Sequence, residues 1–216
     1  MSERDEEIKR KLKVLRLMVS GSAALPVKSF DRWKEITGHT LLERYGMTEI
    51  GMGITNPYQG ERTPGFVGYP FPNVQTTFRD LETDELHSDH DREGELFIKS
   101  DTMFDRYYNN EDATADSFHI DAESNRWFKT GDCAISVSEQ EGAFKILGRL
   151  SQDIIKKQGY KISALELEST MSQHESVNEC AVISVPHPEF DEEIVAFVVL
   201  KAGSVLSEAE AQKSLN

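Results

Sequence analysis

The chain is organised around one heptapeptide, Glu43-Arg44-Tyr45-Gly46-Met47-Thr48-Glu49. Apolar residues precede it and the glycine-broken segment Ile50–Gly53 follows it, so the pattern predicts a short strand that ends in an exposed turn. The turn would carry an aromatic ring, a glycine, a hydroxyl and a carboxylate. These groups suit recognition of a nucleotide, although the heptapeptide alone is equally compatible with an ordinary strand end.

The side chains of the heptapeptide suit different parts of a nucleotide. Tyr45 can stack on a base, and Gly46 lets backbone approach the ligand closely. The hydroxyl of Thr48 can donate to a phosphate oxygen, and the carboxylate of Glu49 can bind Mg²⁺. The heptapeptide therefore predicts a site for a magnesium nucleotide.

Three further stretches follow a fixed order in the chain. They are Ser20–Pro26 (SGSAALP), Trp127–Asp132 (WFKTGD), and Gly148-Arg149 followed by Gly159–Ser163 (GYKIS). With the heptapeptide, these motifs resemble the adenylate-forming superfamily of acyl-CoA synthetases, luciferases and peptide-synthetase adenylation domains. The strings RYGMTEIGM and DIIKKQGYKISALELE are most similar to malonyl- and methylmalonyl-CoA synthetases, and the resemblance covers nearly the whole chain.

The resemblance implies an α/β fold with two domains. Residues 1–148 would form the rear part of the large adenylation domain, namely a βαβ element and a β-rich subdomain from about residue 60 to residue 148. Residues 149–153 would be a hinge linker. Residues 154–216 would form a small α+β C-terminal domain that is incomplete.

The periodicity of the chain supports these elements. Val14–Ser20 is a compact apolar run that predicts a buried strand, and a helix that ends at Gly38 follows it. Such a strand–helix–strand unit collects ligand-binding loops at the strand ends. Residues 82–93 are acidic and contain His87 and His90, which favours a solvated loop over a metal site. The pattern also predicts strands at Val74–Phe78, Glu95–Lys99, Val177–Val185 and Ile194–Leu200, a hairpin over 134–147, and helices from Asn110, Ala164 and Ser207.

The resemblance implies a set of nucleotide-binding residues. The small-residue loop after the first strand would form one wall of the adenine site, with Tyr45 as the other wall. Asp132 would accept both ribose hydroxyls, and Arg149 would contact ribose or phosphate. Thr48 and Glu49 would be the catalytic residues, with Glu49 as the Mg²⁺ ligand. The full nucleotide-binding set is Gly21, Ser22, Ala23, Tyr45, Gly46, Met47, Thr48, Asp132 and Arg149.

Arg44 is the candidate for binding the second carboxylate of a small dicarboxylic acid. A guanidinium suits bidentate carboxylate recognition, and Met52 would line the pocket beside it. The alternative is a structural salt bridge of Arg44 with Glu43 or another neighbour. The pivot of the linker lies among Ser151, Gln152 and Asp153, and Gly159, Tyr160 and Lys161 would face CoA after the domains rotate. A plain hairpin is the alternative for this last turn.

Composition limits the partners. The net charge of −14 argues against nucleic acid and anionic membrane surfaces. The chain contains no run of about 18 apolar residues, which predicts no transmembrane segment, and its start does not resemble a targeting peptide. Cys133 and Cys180 are far apart and lack metal-ligand spacing, so we expect an intracellular, reducing compartment, either mitochondrial or cytoplasmic.

Two motifs of the family are missing from this sequence. One is the Ser/Thr/Gly-rich phosphate loop that ends in Lys, and the other is the Pro…Gly-Lys stretch that carries a catalytic lysine. We therefore expect an acyl-CoA synthetase that is incomplete as this chain and that uses ATP, Mg²⁺ and CoA, with an N-terminal fragment as a complementing partner. Two alternatives stay open: a non-catalytic nucleotide-binding or interaction module, and a ligase for another carboxylic acid.

Overall fold

The computed structural model describes residues 3–187 and 191–204. The described residues form two compact units: residues 3–25 and 29–146 belong to unit one, and residues 26–28 and those from 147 onward belong to unit two. Both units contain helices and sheets, so the predicted α/β class holds for the described residues. The helix predicted from Ser207 lies outside those residues. No helix among the described residues is long and apolar enough to cross a membrane.

The helices agree with the sequence pattern. Asn110 begins α3 by accepting a hydrogen bond from the Ala113 amide, and Ser163 begins α4 by accepting one from the Glu166 amide. Gly38 follows α2 with a φ of 76°, a left-handed conformation that suits glycine. The helices are α1 (Glu3–Leu12), α2 (Val27–Thr37), α3 (Glu111–Asp116) and α4 (Ala164–Ser172), with a 3₁₀ turn at Ser138–Gln140.

The described residues contain fourteen strands. They are β1 (Val19–Ser20), β2 (Leu42–Met47), β3 (Gly51–Thr55), β4 (Tyr69–Pro70), β5 (Val74–Arg79), β6 (Leu86–His87), β7 (Gly94–Ser100), β8 (Phe118–Ile120), β9 (Arg126–Val137), β10 (Ala143–Arg149), β11 (Ile154–Lys157), β12 (Tyr160–Ser163), β13 (Val177–His187) and β14 (Asp191–Leu200).

The first sheet of unit one has the order β1-β2-β3-β4. Strands β1 and β2 are parallel and flank α2, so the predicted strand–helix–strand element is present. The prediction of a buried strand over Val14–Ser20 was wrong, because only its last two residues form a strand and Val14 is 82% exposed. Among the described residues β1 pairs with β2 alone, so the run gains little burial from the sheet.

The second sheet of unit one has the order β10-β9-β7-β5-β6, with β8 added beside β9. Its central strand β7 is buried from Gly94 to Ile98. Apolar side chains from both sheets form one core, so the sheets are fixed relative to each other within the unit. The buried members of that core are Ile50, Ile54, Val74, Phe78, Leu96, Ile98, Phe128, Ala134 and Phe144.

One surface prediction in this sheet was wrong. His87 does not lie in a solvated loop, because it belongs to β6 and its side chain is 6% exposed. Pairing of Phe78 with His87 draws the imidazole inward, where it stacks on the Phe78 ring at 5.5 Å. His90 is exposed, in agreement with the prediction.

Unit two contains an antiparallel sheet with the order β12-β11-β14-β13. Helix α4 packs against this sheet through a small core of Ile155, Ala164, Met171 and Val182. The long β13–β14 hairpin is paired from Val177↔Leu200 to His187↔Asp191. The sheet and helix agree with the predicted α+β character of this part of the chain.

Candidate functional site

The heptapeptide forms strand β2 and the turn that follows it. The sequence pattern had predicted Tyr45 and Gly46 in an exposed turn. They lie in the strand instead, because the strand extends to Met47. The turn itself covers Thr48–Ile50 and is closed by a hydrogen bond from the Ile50 amide to the Met47 carbonyl. Strand β3 then pairs back along β2, which explains why the strand is longer than predicted.

Gly46 is required by the close approach of β2 and β3. A Cβ atom at this position would lie 2.2 Å from the carbonyl oxygen of Gly51. The pairing register shifts between Tyr45 and Gly46, so the hairpin bends at this point. The bend leaves Thr48 exposed and Glu49 half-buried at the tip.

Tyr45 and Asp132 come together although they belong to different motifs. The Tyr45 hydroxyl donates to Oδ2 of Asp132 across 2.6 Å. Asp132 is buried, whereas Tyr45 is half-buried and packs against the core of unit one. An aromatic ring and a carboxylate acceptor are therefore held side by side.

A bulge in β9 directs Asp132 toward Tyr45. Residues Thr130–Asp132 of β9 lie opposite the single residue Leu96 of β7, and Gly131 has a φ of 72°. The buried Thr130 hydroxyl donates to the Leu96 carbonyl at 2.7 Å and accepts from the Asp132 amide at 3.1 Å. Asp132 is thus a strand residue fixed by a bulge, although an aspartate directly after a glycine is typical of turns.

Glu95 supports the bulge from β7. One of its oxygens accepts from the Gly131 amide at 3.2 Å. The other accepts two hydrogen bonds from Arg79, at 2.9 and 2.6 Å. Glu95 is 5% exposed, so the Arg79 guanidinium balances a buried charge. Arg79 also pairs with the exposed Asp84, and its carboxylate neighbours raise the pKa of Arg79 against the effect of burial.

Arg44 lies beside the loop after β1. A Cβ atom at Gly21 would lie 3.1 Å from the Arg44 carbonyl oxygen and 3.2 Å from its Cγ atom. The Nη1 atom of Arg44 is 2.8 Å from the sulfur of Met52, a weak acceptor. Neither Glu43 nor any other acidic group among the described residues forms an ion pair with Arg44.

Glu43 points away from Arg44 into the interior of unit one. It is 6% exposed, and its Oε1 atom accepts from the Gly65 amide at 2.9 Å. Burial raises the pKa of Glu43 to about 6, and the Gly65 hydrogen bond lowers it in part. The Glu43 carbonyl also accepts from the Asn56 side chain at 3.0 Å. These contacts fix the backbone directly before Arg44.

Glu49 is the candidate Mg²⁺ ligand at the tip of the hairpin. Its Oε1 atom accepts from the Tyr107 hydroxyl at 2.9 Å. Among the described residues, no group of three or more His, Cys, Asp or Glu side chains could hold a metal by itself. Because Mg²⁺ commonly binds through one or two carboxylates together with substrate phosphates, a single carboxylate beside the Thr48 hydroxyl fits this ion.

The remaining candidates belong to unit two. Arg149 is exposed at the end of β10, and its amide donates to Oδ2 of Asp153 at 2.8 Å. The Asp153 amide returns a 2.8 Å hydrogen bond to the Arg149 carbonyl, which closes a turn over Ser151 and Gln152. Gly148 has a φ of 134°, and a Cβ atom there would lie 2.5 Å from the Asp153 Cβ. Of the three predicted pivot residues, Asp153 is therefore bonded to Arg149 through both its side chain and its backbone amide.

The Gly159–Lys161 stretch belongs to a two-residue hairpin turn. Gln158 and Gly159 have φ values of 51° and 83°, which is typical of a type I′ turn between β11 and β12. Tyr160 is 74% exposed directly after this turn. The hairpin named as an alternative is thus present, and a role toward CoA stays a prediction.

Four supporting residues of the site were not predicted to have a role in it. The bulge in β9 is bonded by Glu95 and Thr130. The Glu49 side chain is bonded by Tyr107, and the backbone of β2 is bonded by Asn56. Glu95 was assigned only to a strand, and its burial was not foreseen. A charged residue in an otherwise apolar strand was the one usable sign, because such residues are buried only when paired.

The chain matches the models of a known family. The AMP-binding enzyme family matches residues 1–108, and its C-terminal domain matches residues 166–216. The chain belongs to the AMP-binding enzyme family. Membership confirms the predicted adenylate-forming fold, with the large domain followed by the C-terminal domain.

Relatives within the AMP-binding enzymes include malonate–CoA ligases. The mitochondrial malonate–CoA ligase of Xenopus laevis is 44% identical over 217 residues, which cover 92% of this chain and 36% of that protein. The human enzyme of the same name is 41% identical, covering 92% of this chain and 37% of that protein. The chain therefore spans little more than a third of the length of these relatives.

Solved structures of AMP-binding enzymes give the same result. ATP-bound MatB from Rhodopseudomonas palustris matches with a TM-score of 0.85 and 35% identity, covering 96% of this chain and 40% of that chain. A malonyl-CoA ligase in a ternary product complex with methylmalonyl-CoA and AMP matches with a TM-score of 0.59 and 35% identity. The match covers 98% of this chain and 44% of that chain. The resemblance to malonyl-CoA synthetases inferred from the sequence is confirmed.

Proposed function

We propose that this AMP-binding enzyme is part of an acid–CoA ligase that acts on a small dicarboxylic acid of the malonate type. One observation carries the choice of substrate: the guanidinium of Arg44 meets only the weak acceptor Met52 among the described side chains. A guanidinium that has no carboxylate partner among the described residues fits an acid that retains one carboxylate while the other reacts.

The reaction would consist of two displacements. In the first, a carboxylate oxygen of the acid attacks the α-phosphorus of ATP, which forms acyl-AMP and releases pyrophosphate. In the second, the sulfur of CoA attacks the acyl carbon, which forms the thioester and releases AMP. The chain would contribute groups that bind and orient these substrates.

The nucleotide would be held by the residues around Tyr45. The Tyr45 ring would stack on the adenine opposite the Gly21–Ala23 loop, and Asp132 would accept hydrogen bonds from the ribose hydroxyls. The Thr48 hydroxyl would donate to a phosphate oxygen, with Gly46 and Met47 lining the approach. Glu49 would hold Mg²⁺, which reduces the charge repulsion at the phosphates when it is bound.

The second displacement would depend on unit two. Arg149 would contact the ribose or a phosphate, and the turn over Ser151, Gln152 and Asp153 would be the pivot between two orientations. The hairpin Gly159–Lys161 would face CoA in the orientation that forms the thioester. An N-terminal fragment would complement the chain with the rest of the site.

A mitochondrial location is part of the proposal. The relatives named above carry that location in their names. Fractionation of cells that express a tagged protein would test this location.

Binding of reaction-intermediate mimics would test the substrate assignment. We would titrate the purified chain with non-hydrolysable malonyl-adenylate and acetyl-adenylate mimics by calorimetry. Because a hydrogen-bonded charge contact contributes about 1.5–3 kcal/mol, we expect the malonyl mimic to bind roughly 10- to 100-fold more tightly. The R44A variant should lose this preference and keep the affinity for the acetyl mimic.

The D132A variant is the control, because it should weaken the binding of both mimics to the same extent. Equal affinity of the wild-type chain for the two mimics would exclude Arg44 as the carboxylate-binding residue. Failure of both mimics to bind would exclude a nucleotide site formed by this chain alone.

A further inference from the structure

We infer that Tyr107 is a positioning residue for Glu49, and that it orients the carboxylate toward the divalent cation of a metal–nucleotide complex. This inference rests on the proposed role of Glu49. Tyr107 lies between β7 and α3, outside the heptapeptide and the three stretches that carry the nucleotide-binding candidates. Its hydroxyl donates to Oε1 of Glu49 at 2.9 Å. Among the described residues no group donates to the other carboxylate oxygen, Oε2, so the hydrogen bond distinguishes the two oxygens.

Tyr107 belongs to a segment that holds the whole Thr48–Ile50 turn. We call residues 100–107 the clasp. The Phe104 amide donates to the Glu49 carbonyl at 2.8 Å, and the Thr102 hydroxyl donates to the Ile50 carbonyl at 2.8 Å. The clasp thus binds two consecutive carbonyls of the turn as well as the Glu49 side chain. The backbone of the turn and the carboxylate are fixed by the same eight residues.

The clasp has its own supports, so it can serve as a fixed reference. Ser100 and Thr102 share a 2.8 Å hydrogen bond between their hydroxyls. The ring of Phe104 packs against Phe118 and Phe128 with centroid separations of 5.3 and 5.5 Å. It also contacts the ring of Tyr107, at 4.7 Å. Aromatic packing therefore restrains the tyrosine whose hydroxyl reaches Glu49.

The base of the clasp is joined to α3. The Tyr107 amide donates to the Thr114 hydroxyl at 3.0 Å, and that hydroxyl donates to the Asn110 carbonyl at 2.7 Å. The adjacent Tyr108 has a different environment, since it is 91% exposed. Two neighbouring tyrosines thus offer a test residue and a matched control within one segment.

The position of Tyr107 fits a supporting role in metal binding. Groups that hydrogen-bond a metal-ligating carboxylate fix its orientation, and their loss typically lowers metal affinity about 10-fold or more. The hydroxyl of Tyr107 would leave the second Glu49 oxygen directed away from the clasp. Removing the hydroxyl would let the carboxylate rotate without disturbing the Phe104 packing.

Affinity for ATP with and without a divalent cation would test this role. We would measure the binding of ATP to the purified chain by calorimetry, and the binding of Mn²⁺·ATP by the relaxation enhancement of water protons. Tyr107→Phe should weaken Mn²⁺·ATP binding roughly 10-fold, leave metal-free ATP unchanged, and leave the melting temperature within a few degrees. Tyr108→Phe should leave all three quantities unchanged.

A double-mutant cycle with Glu49→Gln would test whether Tyr107 affects metal binding through Glu49. If Tyr107 acts through Glu49, the double variant should bind Mn²⁺·ATP no more weakly than Glu49→Gln alone. Three results would each overturn the inference. They are an equal loss of affinity for metal-free and metal-bound ATP in Tyr107→Phe, additive losses of affinity in the cycle, and no loss of affinity at all.

The wild-type chain separates this inference from the proposed function. If it binds Mn²⁺·ATP no more tightly than metal-free ATP, the metal role of Glu49 fails, and the role of Tyr107 fails with it. If the wild-type chain prefers Mn²⁺·ATP and Tyr107→Phe keeps that preference, the positioning role alone is overturned.

Discussion

The Tyr45 hydroxyl donates to the Asp132 carboxylate across 2.6 Å, although 87 positions of sequence separate the two residues. The bond joins strand β2 to the bulge in β9, and therefore links the two sheets of unit one. Both residues are candidates for binding the nucleoside. The hydrogen bond fixes the ring that would stack on the base with respect to the carboxylate that would accept the ribose.

Removing the Tyr45 hydroxyl should loosen this arrangement without removing either binding group. We expect Tyr45→Phe to weaken AMP binding about 3- to 10-fold, because one hydrogen bond to a charged acceptor is lost while the aromatic ring remains. Tyr45→Ala should weaken it further through loss of stacking. Calorimetric titration with AMP measures both changes, and equal affinities of the two variants would contradict a stacking role for the ring.

Glu95 should control the stability of the bulge that carries Asp132. Replacing it with Ala leaves the Gly131 amide and the Nε and Nη2 atoms of Arg79 without their acceptor, and we expect a loss of roughly 3 kcal/mol in the free energy of unfolding. Glu95→Gln keeps an acceptor for Gly131 and should cost less. Asp84→Asn, which alters the exposed partner of Arg79, should change stability by under about 1 kcal/mol. Urea unfolding measures the stability of all three variants. Similar losses of stability in Glu95→Ala and Asp84→Asn would contradict the role assigned to Glu95.

The outcome for Asp132 illustrates what the sequence could predict. The TGD stretch indicated an acid near a nucleotide, but a lone glycine–aspartate pair is typical of turns, and the bulge depends on pairing with Leu96 across the sheet. Helices α2, α3 and α4 were predictable because their spacing and caps are local. The strand predicted at Val14 was not, since burial of a strand depends on neighbours that local pattern does not specify.

Burial of Glu43 should make the stability of the protein depend on pH. Its pKa is raised from 4.5 to about 6, so the folded state binds the proton more tightly than the unfolded state. The stabilisation is fully present below pH 4.5 and is lost as the pH rises through 6, with a maximum of roughly 2 kcal/mol.

The Glu43→Gln variant should remove this pH dependence. Glutamine keeps an acceptor for the Gly65 amide and carries no charge to desolvate, so we expect the variant to be more stable than the wild type at pH 7.5 and similar to it at pH 4.5. Urea unfolding at both pH values measures the difference, with Glu61→Gln at an exposed position as the control. An unchanged pH profile in Glu43→Gln would contradict this assignment.

The two histidines of the acidic segment should respond in opposite ways to the same substitution. Neither ring nitrogen of the buried His87 has a hydrogen-bond partner within residues 3–187 and 191–204, and Nδ1 is 4.0 Å from the Asp89 carboxylate, too far for a hydrogen bond. An unsatisfied buried polar group costs about 1–3 kcal/mol, so His87→Leu should raise the free energy of unfolding by roughly 1 kcal/mol.

His90, by contrast, is exposed and bonded through Nδ1 to the Ser136 hydroxyl at 2.8 Å. His90→Leu removes that bond and should lower stability by about 1 kcal/mol. Chemical denaturation of both variants at pH 7.5 measures the two changes. A loss of stability in His87→Leu would mean that the stacking of the imidazole on Phe78 outweighs the cost of its two unpaired nitrogens.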